Sequence, residues 1–180
     1  MALSIGKRFE SNIAKSAPDY ALVCRLPDSA QAFGSSSRLR FSRKNPFDYL
    51  IWDSKRFRLY AIELKTVKGK TISFERSEED TGEIHLHQID GLNAWNLYDG
   101  IICGFLIEFR ENEETIFLKI EDFNDLLSEI DKKSFGKKDL DLYGISYFIV
   151  PQEKIRVNYR YDIDSLLSNY SLSEEKNNDD

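Results

Sequence analysis

The chain is poor in the residues that usually build structural staples and soft-metal sites. Among 180 residues there are two cysteines, two histidines and one methionine. Cys24 and Cys103 each lie in an apolar run without a second ligand nearby, so a disulfide framework or zinc knuckle is excluded, and both are expected as reduced core residues. His85 and His87 stand two apart, a spacing that does not share a helix face and suits a helix start better than a zinc site. No stretch approaches the roughly 20 consecutive apolar residues of a membrane span, and "MALSIGKRFESN" lacks an apolar signal core, so a soluble cytoplasmic protein without a membrane partner is expected. There is no internal repeat, no compositional break, no helix-turn-helix and no zinc finger, so sequence-specific DNA readout is not indicated.

What is present is charge, unevenly spread. The net charge is −6, yet residues 1 to 77 carry +8 and residues 78 to 180 carry −14. The excess of cations is concentrated in "RLRFSRK", where Arg38, Arg40, Arg43 and Lys44 fall within seven residues of a Ser-rich connection at about 28 to 45. A local positive field of this kind is what phosphates recognise, even on an acidic protein. Phe41, inside the same stretch, has the character of a base-stacking residue.

Periodicity organises the remainder into one α/β domain over residues 1 to 170, with a disordered acidic tail at 171 to 180. Ile5, Phe9 and Ile13 have helical spacing behind Ser4, which predicts a helix over about 5 to 17. "DYALVCRLP" reads as a strand. Phe47 to Trp52 and Arg58 to Lys65 read as an antiparallel hairpin turning at Asp53 to Arg56, with Asp53 a turn residue. "VKGKTISFERSEEDTG" reads as a polar loop, and "EIHLHQIDGLNAWNLYDG" as a helix closed by Gly100. "IICGFLIEF" suits a strand buried on both faces, and "ETIFLKI" an outer strand. A helix in "EDFNDLLSEIDKK", strands in "YGISYFIV" and "KIRVNYRY", and a short helix in "DIDSLLSNY" complete a mixed central sheet flanked by helices.

One strand carries the chemistry. In "LYAIELKT", Ile62 and Leu64 point to one face, while Glu63 and Lys65 share the other. By itself such a pair reads as solvated surface charge. The hairpin changes that reading, because it brings Asp48 of "NPFDYLIWD" toward Glu63. Two carboxylates and an ammonium then converge, a donor set suited to Mg²⁺ or Mn²⁺ acting on a phosphate.

Five pieces, "GKRFESNI", "FDY", "IELKT", "HLHQIDGL" and "GIICGFLIEF", together with "VNYRYDIDSLL" near the end, resemble in order the PD-(D/E)XK nuclease superfamily, and more closely its RecU-type Holliday junction resolvases. The resemblance implies a restriction-endonuclease-like fold and a Mg²⁺-dependent endonuclease that resolves four-way DNA junctions in recombination and repair. It implies that Asp48 and Glu63 bind the metal, that Lys65 is the catalytic lysine, that Glu10 completes the acidic cluster, and that Gln88 lies beside the site. Arg38, Arg40, Arg43 and Lys44 are similar in position to the part that engages the junction, and Thr66 either contacts phosphate or ends the strand. Symmetric cutting of two strands implies a homodimer on branched DNA. Other superfamily endonucleases, restriction-like or phage DNA-processing, and a non-catalytic DNA-binding recombination factor are the alternatives.

Overall fold

A computed structural model describes residues 4–27 and 45–170. Arg38, Arg40, Phe41, Arg43 and Lys44, and the tail from 171, lie outside the described residues. The sheet has six strands: β1 (Ala21–Arg25), β2 (Tyr49–Asp53), β3 (Arg58–Val67), β5 (Ile101–Phe109), β6 (Glu114–Lys119) and β8 (Phe148–Val150), side by side in that order. Only the β3–β5 pairing is parallel, so the sheet is mixed, as expected. The return from β3 to β5 passes through β4 (Thr71–Ser73) and helix α2 (Leu86–Trp95).

Helices cover both faces. On one, α1 (Ile5–Ser16) and α5 (Ile163–Asn169) place Phe9, Ile13, Leu166 and Leu167 against Tyr49, Tyr60, Ile62 and Leu106. On the other, α2 and α3 (Ile120–Glu129) place Ile89, Leu92, Phe123 and Leu126 against Ala61, Val67, Phe105 and Ile107. Strand β5 is therefore buried on both sides, which is why its sequence reads as a continuous apolar run. Phe123 meets Phe74, Phe105 and Phe135 edge-on or tilted, with ring centroids 5.0 to 5.8 Å apart. Truncating such a buried ring costs ~3–5 kcal/mol, so this cluster anchors α3 to the sheet.

Several expectations are corrected. The polar loop after β3 contains β4, which pairs with a second short strand, β7 (Ser134–Gly136), followed by α4 (Lys137–Leu142). Three-residue strands are too short for alternation to show. The stretch "KIRVNYRY" is a hairpin, β9 (Gln152–Ile155) with β10 (Asn158–Tyr161), turning where Arg156 takes a positive φ of 58°. Helix α2 stops at Trp95 with Asn96 as its cap, so Gly100, at φ 82°, serves the turn into β5 instead. Cys24 is exposed on β1, the edge strand of the sheet, whereas Cys103 is buried on the central strand β5; both are free. Asp53 is the expected turn residue: its fully buried carboxylate accepts the Lys55 and Arg56 N–H groups at 2.9 and 3.2 Å and pairs with the Arg56 guanidinium at 2.9 Å.

Candidate active site

The site forms where β2, β3 and α2 meet. The β2–β3 register pairs Tyr49 with Ile62, and one further step sets Asp48 opposite Glu63. Asp48 is held by its backbone, whose N–H donates to the Ile62 carbonyl at 3.2 Å while its carbonyl accepts from Leu26 N–H at 2.8 Å. Its carboxylate accepts the Leu64 N–H at 3.0 Å, which pins the side chain across the start of the hairpin. Glu63 is only 3% exposed, and Lys65 Nζ lies 3.0 Å from its Oε1.

Gln88 closes the site from α2. Its Oε1 accepts the His85 N–H at 2.9 Å, a helix-capping bond that fixes which way the amide faces. Nε2 is then turned toward the sheet and donates to Glu63 Oε1, the oxygen that Lys65 also contacts. Close packing holds this helix in place. Gly91, one turn on, lies so near Pro46 that any Cβ would collide with it, and Phe47 meets Trp95 edge-on at 5.1 Å. The same contacts seat the chain that leads into Asp48, so α2 positions Gln88 and Asp48 together.

The electrostatics follow from burial. Desolvation pushes the Glu63 carboxyl up to about 8; Lys65 opposes the shift and Asp48 adds to it. Asp48 is raised too, first by burial, then against the Leu64 N–H, with Glu10 adding to the rise. Two neighbouring carboxylates that each resist ionisation form a costly pair as bare anions. Their donor set fits a hard divalent cation, which takes one or two carboxylates and completes its shell with water and phosphate oxygens. Among the described residues no group of three or more His, Cys, Asp or Glu side chains is arranged to hold a metal ion, so the pair Asp48 and Glu63 is the available set.

The remaining sequence candidates fall elsewhere. Glu10, on α1, is close enough to be felt by Asp48 and Glu63, but its carboxylate accepts from Arg25 Nε at 2.9 Å. Arg25 was not foreseen, and a cation at the end of β1 offers little periodic signal. With Lys7, Glu10, Ser11 and Tyr49 it lines a shallow cleft of about 250 Å³ beside the carboxylates. Thr66 lies on the opposite sheet face, where its hydroxyl donates to Glu108 Oε2 at 2.6 Å. His85 and His87 stack at 5.6 Å, and the His85 ring pairs with Glu75, its Nδ1 2.7 Å from that carboxylate.

No family model matches the chain. The SPbeta prophage-derived uncharacterized protein YotM of Bacillus subtilis (strain 168) is 34% identical over 172 residues, which cover 89% of this chain and 84% of that protein. The chain belongs to the YotM family. Among solved structures, the 1.6 Å structure of Archaeoglobus fulgidus Hjc, a Holliday junction resolvase from an archaeal hyperthermophile, superposes with a TM-score of 0.45 at 15% identity, over 76% of this chain and 93% of that one. No helix among the described residues of this YotM-family chain is long and apolar enough to cross a membrane.

Proposed function

We propose that this protein is a divalent-metal-dependent endodeoxyribonuclease of the PD-(D/E)XK type that cuts branched DNA, four-way junctions foremost, as a two-fold homodimer. The observation that carries the reading is the convergence of Asp48, Glu63 and Lys65 in one half-closed site, with Gln88 fixing the buried carboxylate. The order of the sequence motifs, including the closer resemblance to RecU-type resolvases, supports the same assignment, and so does the prophage origin of its relative, since phage replication produces branched intermediates.

Asp48 and Glu63 would hold Mg²⁺ or Mn²⁺. When bound, such a cation supplies positive charge to a phosphodiester and acidifies water at neutral pH. The chain's own groups do the rest. Gln88 prevents Glu63 from rotating away, and the Leu64 N–H does the same for Asp48. The Lys65 ammonium, anchored on Glu63, stands where it can donate to a phosphate oxygen as charge builds on phosphorus, or orient the attacking water. Arg38, Arg40, Arg43 and Lys44 are retained as DNA-contacting candidates, recognising backbone charge and shape more than sequence; Thr66, turned to the other face of the sheet and bonded to Glu108, is not.

The test is a cleavage gel with three labelled substrates, a four-way junction, the matching linear duplex and a single strand, with and without Mg²⁺. Junction cutting that requires Mg²⁺ and exceeds duplex cutting is expected. Equal rates on all three would replace the resolvase reading with a general endonuclease. No cutting under any condition would leave a DNA-binding protein on a nuclease fold.

A further inference from the structure

Helix α2, which carries Gln88, has no acidic residue in its first turn, and His85 at its N-cap gives its ring to a partner outside the helix. The leading N–H groups of a helix need an acceptor, and here it comes from upstream in the chain. Glu75 Oε2 accepts the Leu86 N–H at 2.8 Å, and Glu75 Oε1 lies 2.7 Å from His85 Nδ1. One carboxylate therefore grips both the first residue of the helix and the residue before it. The His85 ring and the Leu86 N–H hold the Glu75 carboxyl below the usual carboxylate range, which keeps it an acceptor for both.

Glu75 is itself fixed to the core. Phe74, beside it, is fully buried against Phe123 and Phe135, with ring centroids 5.7 and 6.1 Å away. The Glu75 N–H donates to the Ile84 carbonyl at 2.9 Å, and Phe74 and Ile84 form a parallel bridge, so the chain is zipped where it enters and leaves the loop at 76–83. Gly82 completes the closure, lying so near the Phe74 backbone that any Cβ would collide with it.

What this grip controls is the residue that reaches Glu63. Gln88 Oε1 accepts the His85 backbone N–H at 2.9 Å, and that bond keeps Nε2 aimed at Glu63 Oε1. A flipped amide would set oxygen against the Glu63 carboxylate. Gly91 against Pro46 and Trp95 against Phe47 secure the middle and the end of α2, whereas Glu75 secures its start. Glu75, His85, Gln88 and Glu63 thus stand in series, from the rim of the core to the carboxylate pair.

We propose that Glu75 and His85 are positioning residues of the candidate active site, holding the first turn of α2 so that the Gln88 amide keeps Glu63 in the orientation that binds the metal. The consequence for metal affinity rests on the nuclease reading; the geometry is tested without it. In EDTA, nuclear magnetic resonance of the full chain follows water exchange of the Gln88 side-chain amide protons, assigned by their absence in Gln88→Leu. Glu75→Ala should speed that exchange about tenfold, while the backbone amides of β5 exchange as in the wild type. Glu75→Gln should return it to within about twofold at about pH 7.5, because its oxygen can accept the Leu86 N–H and its amide can donate to a neutral imidazole. His85→Ala keeps the backbone N–H but loses the hold on Glu75, so about a threefold increase is expected, and it serves as the probe if Glu75→Ala fails to fold. The double variant should exchange no faster than Glu75→Ala, as two residues acting as one unit require. By calorimetry, the Mg²⁺ Kd should rise about tenfold in Glu75→Ala and recover in Glu75→Gln. Unchanged Gln88 exchange in both alanine variants, equal acceleration across β5, or no rescue by Glu75→Gln would overturn the proposal. The expected exchange pattern with no Mg²⁺ binding by the wild type would uphold the geometry and overturn the nuclease reading instead.

Discussion

Two carboxylates sit almost fully buried on neighbouring parallel strands, and they are built for different purposes. Glu108, 6% exposed on β5, gives each oxygen a neutral hydroxyl donor, Thr66 at 2.6 Å and Tyr161 at 2.9 Å. Glu63, 3% exposed on β3, has Lys65 and Gln88 crowding one oxygen and another carboxylate, Asp48, across the hairpin. The first arrangement ties α1's side of the sheet together, since Tyr161 also packs edge-on against Phe9 at 5.5 Å. The second keeps a charge under stress in a place where a cation could relieve it. Burial alone therefore does not mark a reactive carboxylate; the nature of its partners does.

Breaking each member should have opposite consequences. The largest effect is expected at Lys65: Lys65→Ala should lower Mg²⁺-dependent cleavage by about 10²–10³-fold, the usual cost of removing a positioned charge from the reacting phosphate, and a single-turnover assay reads it directly. A residual rate within a few-fold of wild type would remove Lys65 from the chemistry.

Next in size is Glu108→Ala, which strips two buried hydroxyls of their acceptor. A loss of ~2–4 kcal/mol in urea unfolding is expected, or roughly 4–16 °C in Tm for a chain of this size. An unchanged midpoint would mean that the hydroxyls find other acceptors and that the contrast with Glu63 is overstated.

The pH dependence sharpens the contrast from the other side. Because burial raises the Glu63 carboxyl to about 8, its contribution to stability is complete below the ordinary carboxylate range and is lost as pH climbs through about 8. In EDTA the wild-type Tm should fall between pH 5 and 8.5 more than that of Glu63→Gln, and Mg²⁺ should recover more Tm at pH 8.5 than at pH 5.5. Parallel curves for the two proteins would mean that Glu63 does not titrate in this range.

The smallest effect belongs to the rim. Arg25 and Glu10 form a partly exposed pair, with side chains 36% and 21% exposed, so Arg25→Ala should cost no more than ~1 kcal/mol in thermal unfolding. A larger loss would make this pair part of the fold's framework and not of the cleft.

Much of this was legible in the residues because the elements concerned are long and periodic. The alternation in "LYAIELKT" set Glu63 and Lys65 on one face, the hairpin set Asp48 opposite, and the apolar run of β5 announced a central strand. The face bearing Glu63 proved to be buried under α2 and not open, because α2 is locked down at Gly91 and Pro46, a contact that depends on two residues 45 positions apart in sequence. Thr66 faces away from Lys65 for the same period-2 reason that unites Glu63 and Lys65. The short elements β4, β7 and α4 span too few residues for any period to emerge, and the exposure of Cys24 follows from edge position, which topology decides and local sequence does not.

The most direct test of the central claim is Mg²⁺-dependent cleavage of a labelled four-way junction by wild type and by Glu63→Gln, side by side, with Mg²⁺ binding to each followed by calorimetry. Cleavage and Mg²⁺ binding that are both present in the wild type and both lost in Glu63→Gln, with the fold intact by circular dichroism, are the expected results. Equal cleavage by the two proteins would contradict the assignment of this carboxylate pair as the catalytic metal centre.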